Sequence, residues 1–155
     1  MNLQRLFLYT IFVSFCFFLF FGSTSAFAVE IDYGHAIITT STGNEIPVEV
    51  ADTVEKRSLG LGNRPGLKKG WGMLFIFEKR KLHRFWMKKM QFSLDIIWLD
   101  NYKIVHILRN IQPAISGEKP QTMSPPVPAN FVLELDAGRA SELKLQLGHR
   151  VQYQF

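Results

Sequence analysis

The chain has 155 residues, 47% of them hydrophobic and 20% charged, with a formal net charge of +5 and a single cysteine. That length suits one domain of ordinary globular composition and excludes a disordered or fibrous chain. Because the cysteine is Cys16, nothing beyond it can form a disulfide or a thiolate metal site.

Residues 1–28 read as a secretory signal: one base, Arg5, then an apolar run from Leu6 to Phe21, then Gly22-Ser23-Thr24-Ser25. Ala26-Phe27-Ala28 supplies the small residues that precede cleavage, so the expected mature chain begins after Ala28. An uncleaved anchor is the alternative, but the run falls short of the about 20 apolar residues that span a bilayer. Cys16 lies inside the run rather than behind it, which argues against lipid attachment. The expectation is an exported protein, periplasmic or extracellular, meeting the membrane only through its leader.

Charge is segregated along the rest. Residues 29–55 hold six acids and no Lys or Arg, whereas residues 56–89 hold eleven bases and one acid, Glu78. Either the two segments neutralise each other, or the second forms a cationic face for an anionic partner such as phospholipid head groups or an envelope polymer. Nucleic acid is not expected of an exported chain.

His35–Thr40 and Glu45–Val50, rich in Ile, Val and Thr around Ser41-Thr42-Gly43-Asn44, predict a β-hairpin. Asp52-Thr53-Val54-Glu55 predicts a helix start with Asp52 as cap and Glu55 reaching back, the helix ending near Gly60–Gly62. After Gly70-Trp71-Gly72, the run Met73–Phe77 suits a strand covered on both faces, and Glu78–Lys81 suits a charged turn. Phe85–Lys88, Ile96–Leu99 and Ile104–Arg109 follow as strands, the last two joined by a turn at Asp100–Lys103. The Pro-rich stretch from Pro113 to Asn130 predicts a long irregular loop, of the kind that is functional or mobile. Phe131–Leu135 predicts a strand, Ala137–Leu143 a short helix and Val151–Tyr153 a last strand. The sum is an α+β fold, mainly β: a compact barrel-like sheet, antiparallel or mixed, with one or two short helices.

In order along the chain, Glu49-Val50-Ala51-Asp52-Thr53, Gly60-Leu61, Arg64, Gly72-Met73-Leu74-Phe75-Ile76-Phe77, Phe85-Trp86-Met87-Lys88, Leu94-Asp95-Ile96 and Leu133-Glu134-Leu135 with Gly138 carry a resemblance. Together they resemble the uncharacterised family known as domain of unknown function 192. The resemblance implies one β-rich domain with a closed or nearly closed sheet, often behind a signal peptide, and implies no reaction or cofactor. Two positions depart from the family pattern: Lys89 stands where Asn is usual, and Ser93 where Pro is usual.

Strand alternation puts Arg84, Trp86 and Lys88 on one face and Phe85 and Met87 on the other. Trp86 between two cations could stack on and attract an anionic or sugar-like ligand; it could equally pack under the proline-bearing loop. Asp95, beside Ile96-Ile97-Trp98, needs a partner for its carboxylate, Arg64 or a backbone amide. Glu134, between Leu133 and Leu135, calls for the same, with Arg109 or Arg139 in view. His35, His83, His106 and His149 show no metal-ligand spacing, and no nucleophile elbow, phosphate loop or dinucleotide fingerprint occurs, so neither metal nor cofactor is expected.

Three functions remain in contention. The first is a non-enzymatic binding module using Arg64, Arg84, Trp86, Lys88 and Asp95, with Glu134 as a structural polar group. The second is an enzyme with Asp95 as acid or base, helped by Glu134 or His83. The third is a scaffold for another envelope protein.

Overall fold

The computed structural model describes residues 31–115 and 117–155, and Ile31–Phe155 form one compact body. The expected leader lies outside the described residues.

The first hairpin pairs β1 (Gly34–Thr40) with β2 (Glu45–Ala51), Ala36 opposite Val48 and Ile38 opposite Ile46. Alternation buries these four side chains together, while Gly43 turns the chain at φ 82°. Helix α1 (Val54–Leu59) follows. Its cap is Thr53, not Asp52: the Thr53 hydroxyl accepts the Lys56 amide, while Asp52 forms an ion pair with the Lys56 ammonium at 3.2 Å. Gly60 ends the helix at φ 50° and ψ −131°, a conformation open to glycine.

β3 (Gly72–Lys81) runs parallel to β2 and antiparallel to β8 (Ala129–Asp136). Gly72 permits that close fit, since a Cβ there would lie 2.9 Å from the Glu134 carbonyl oxygen and 2.7 Å from Leu135 Cδ2. The strand does not stop at Phe77. Glu78–Lys81, expected as a turn, prolong it as an exposed end that rejoins β8 at Lys81 and Ala129 after an irregularity. Arg80 there pairs with Asp100, so the charges sit on a strand that projects into water.

The expected strand at Phe85–Lys88 is only two residues, β4 (Phe85–Trp86). It pairs with β7 (Thr122–Met123), a strand inside the stretch predicted to be irregular. Neither short segment could hold alone; Met87 and Met123, both buried, fix them to the body. β5 (Leu94–Asp100) and β6 (Lys103–Ile111) form the second hairpin, turning through Asn101 at φ 51°. After β8 come α2 (Arg139–Glu142) and β9 (Val151–Gln154), which returns to pair with β1.

The seven long strands lie in the order β6-β5-β8-β3-β2-β1-β9, every pair antiparallel except β2 with β3. The two edges approach at one end, where Lys103 bridges Arg150 and the Ile104 amide donates to the His149 carbonyl at 2.9 Å. The result is a mixed sheet curled into a half-barrel, as the sequence predicts. One core cluster takes side chains from all seven strands and from Ala140, Leu143 and Leu145, and fills the curl. A second lies on the other face of β3, β8 and β5, where Leu61, Met87 and Met123 cover Met73, Phe75, Ile96, Trp98 and Val132. That cover comes from short segments, and it leaves a gap.

Candidate functional site

The gap is set by alternation along β8. Leu133 and Leu135 point into the curl, so Val132 and Glu134 point to the opposite face. Glu134 stands in register between Met73 on β3 and Ile96 on β5, both fully buried. Its carboxyl lies at the floor of a cleft of about 170 Å³. One wall is the end of α1 and the loop that follows, Arg57 to Asn63; the other is Phe85, Trp86 and the turn Lys88–Met90. The Asn63 amide donates to the Lys89 carbonyl at 2.8 Å and ties the walls together.

Among the described residues no side chain bonds or pairs with Glu134. Arg109 donates instead to the Leu145 carbonyl, and Arg139 pairs with Glu142, so neither arginine is the expected partner. Burial without a partner pushes the Glu134 carboxyl up to about 8, and at neutral pH it is mostly a protonated, neutral acid. Such a group can donate a hydrogen bond to a ligand oxygen.

A second depression, about 240 Å³, shares Arg57, Ser58, Phe75, Phe85 and Trp86 with the first and adds Val54, Phe77 and Arg84. The two make one groove with Trp86 at its middle. Arg84, Trp86 and Lys88 are all exposed, Met87 is 1% exposed, and Phe85 packs edge-on against Phe75 and Trp98, as strand alternation requires. Trp86 is 58% exposed, with the Lys88 ammonium 5.4 Å from its ring centroid, so it does not pack under the proline-bearing loop. Arg57 is spent on structure, donating to the carbonyls of Asp52 and Ile76 and lying over Phe77. Among the described residues no acid pairs with Arg84, Lys88 or Lys89.

Arg64 and Asp95 stand elsewhere. Arg64 pairs with Glu49 at 2.6 Å and lies over the Tyr33 ring, outside both lobes of the groove. Asp95, fully buried, points with Ile97 and Leu99 away from the Glu134 face. Its two oxygens accept the Asn110 and Ala140 amides, each at 2.8 Å, so its partners are backbone amides and not Arg64. The carboxylate joins the end of β6 to α2 and has no surface to offer a substrate. His83 stacks on Phe77, bonds to the Lys79 carbonyl and accepts the Trp98 indole N–H on its own carbonyl, all structural contacts. Among the described residues no three His, Cys, Asp or Glu side chains gather as metal ligands. Sequence reasoning missed the wall from Gly60 to Asn63 and the turn residues Lys89 and Met90; positive φ at Gly60, Asn63 and Lys89 shapes both.

The family model described as Uncharacterized ACR, domain of unknown function 192, matches residues 36–153, which include the whole sheet apart from the ends of β1 and β9. The chain belongs to that family. The body is also similar to a crystal structure from Sinorhizobium meliloti 1021 provisionally described as a transcription regulator, with 27% identity and a TM-score of 0.71. That match covers 80% of this chain and 97% of the other. A protein of unknown function from Novosphingobium aromaticivorans matches with 25% identity and a TM-score of 0.67, over 77% of this chain and 84% of that one. Comparison with curated proteins gives no match.

Residue 89 stands at a constrained point of the backbone. Lys89 sits at φ 59°, the left-handed region, where Asn is tolerated far better than a long side chain. Lys89→Asn should raise the free energy of unfolding by about 0.5–1 kcal/mol, read from the denaturant midpoint. An unchanged or lower midpoint would show that the turn carries no strain.

Proposed function

We propose that this protein is a non-enzymatic binding module, exported behind residues 1–28, whose groove takes a small organic anion stacked on Trp86. The observation that carries this reading is the setting of Trp86. An exposed indole divides a groove edged by Arg84, Lys88 and Lys89, and the floor holds Phe75, Phe85 and the neutral acid of Glu134. Exposed indole faces stack on flat or sugar-like rings, ammonium and guanidinium groups attract phosphate or carboxylate, and a protonated carboxyl donates to a hydroxyl or carbonyl. The deeper lobe lies below the roughly 300 Å³ where drug-sized pockets begin, which favours a ligand of monosaccharide size.

Calorimetric titration of residues 31–155 with glycerol 3-phosphate, a hexose phosphate and citrate tests the reading. Trp86→Ala should weaken the binding seen by at least about fivefold, a stacking contribution of about 1–3 kcal/mol, with the melting temperature almost unchanged. Full retention of affinity in that variant would refute the site.

A second reading, acid catalysis by Glu134, is favoured by one observation: a carboxyl with a raised pKa opens into the groove. Among the described residues no histidine, cysteine or second carboxylate lines the same walls. Asp95 has no part in either reading.

A further inference from the structure

The rim of the groove holds more than a small anion uses. Val54 is 64% exposed, Leu59 42% and Trp86 58%, and all three border the two lobes. Large apolar side chains gathered at one site in water mark a surface that meets something apolar. The cations beside them are Arg84, Lys88 and Lys89; among the described residues the only acid lining either lobe is Glu134, which is buried at the floor, while Glu55 next to Val54 faces water outside both lobes. A ligand that fills the deeper lobe leaves Val54 on the far side of Trp86 uncovered.

We propose that this rim is a membrane-docking surface: Trp86, Val54 and Leu59 enter the interface of an anionic phospholipid layer, while Arg84, Lys88 and Lys89 meet its phosphates. Tryptophan favours the level of the head groups, where its ring is half in hydrocarbon and its N–H remains hydrated. Each Lys or Arg near an anionic surface multiplies partitioning about fivefold, so three together give on the order of a hundredfold. Among the described residues no helix is long and apolar enough to cross a membrane. Docking of this kind goes beyond the small-anion reading because it assigns the apolar rim, and it commits the partner to a lipid surface.

Residues 31–155 form one compact body, and 80% of this chain matches 97% of a protein solved as a crystal structure, so that body is the part to test. Vesicles of phosphatidylcholine alone and of phosphatidylcholine with phosphatidylglycerol are the probes, with cosedimentation and tryptophan emission as readouts. Binding to the mixed vesicles should exceed binding to the neutral ones by about a hundredfold and fall steeply with added salt. It should bring a blue shift that Trp86→Phe abolishes, because Trp98 is already fully buried and Trp71, part-buried against Lys68 and His35, lines neither lobe. The double variant Val54→Glu/Leu59→Glu should lose at least tenfold.

Equal binding to both vesicles, no binding to either, or full binding by the double variant would overturn the proposal. If vesicles fail while soluble glycerol 3-phosphate still binds, the small-anion reading survives alone. If neither binds, both fall.

Discussion

Asp95→Ala should destabilise the body by about 2–4 kcal/mol, enough to remove much of the stability of an ordinary small domain. The carboxylate is fully buried and satisfies two amides, from Asn110 and Ala140. Truncation leaves the buried Ala140 N–H without an acceptor, at about 1–3 kcal/mol, takes a part-buried bond from the Asn110 N–H, which water can partly replace, and adds a small cavity. Asp95→Asn is the sharper probe, because its amide group keeps one acceptor and turns a donor against the other N–H. Its loss should be about 2–3 kcal/mol, with hydrogen exchange accelerated first at Ala140 and Asn110. Both variants should keep ligand affinity wherever they remain folded. A loss of binding without a loss of stability would instead make Asp95 a functional carboxylate.

Glu134→Gln should act in the opposite direction. Burial raises the folded-state pKa from the ordinary 4.5 to about 8, so the folded protein holds a proton that the unfolded chain releases. Below pH 4.5 both states are protonated and no penalty exists. As pH rises from 4.5 to 8 the penalty grows, stability falls, and above 8 the penalty is complete. At pH 7 it amounts to about 3 kcal/mol, and a neutral isostere removes most of it. Glu134→Gln should therefore be about 2–3 kcal/mol more stable than the parent at pH 7 and equal to it at pH 4. A carboxyl that costs stability on the floor of a groove fits the proposed ligand site better than a core residue chosen for stability. Equal stability at both pH values would mean that Glu134 has a partner or ready access to water.

Much of the fold is legible because strands with one buried face announce their period. The hairpins at 34–51 and 94–111, the strand around Glu134 and the turn at Asn101 fall where alternation and turn residues put them. What the sequence conceals is held by distant partners. The two-residue pairing of Phe85–Trp86 with Thr122–Met123 joins segments far apart in the chain, and neither has the length to signal a strand. Glu78–Lys81 look like a turn because they are charged, yet they extend a strand whose exposed end needs no apolar face. The helix cap moves from Asp52 to Thr53 because Asp52 is drawn to Lys56 one turn along the helix.

The candidate site is legible in part for the same reason. Alternation alone places Arg84, Trp86 and Lys88 together, and a glutamate in an apolar strand stands out. Partner choice is not local: Arg64 goes to Glu49 and Asp95 to backbone amides, while Glu134 finds none among the described residues. That difference turns on which face of the sheet each carboxyl occupies. Residues 95 and 134 look alike in sequence, since each is an acid among Leu and Ile. In space they lie on opposite faces, one sealed by amides and the other open to the groove.

The most direct measurement is a pH titration of the side-chain carboxyl carbons in isotope-labelled residues 31–155 by nuclear magnetic resonance, with Glu134→Gln identifying the signal. A midpoint near 8 that shifts when glycerol 3-phosphate is added would show a neutral acid in contact with the ligand site. A midpoint near 4.5, unmoved by ligand, would contradict the groove as described.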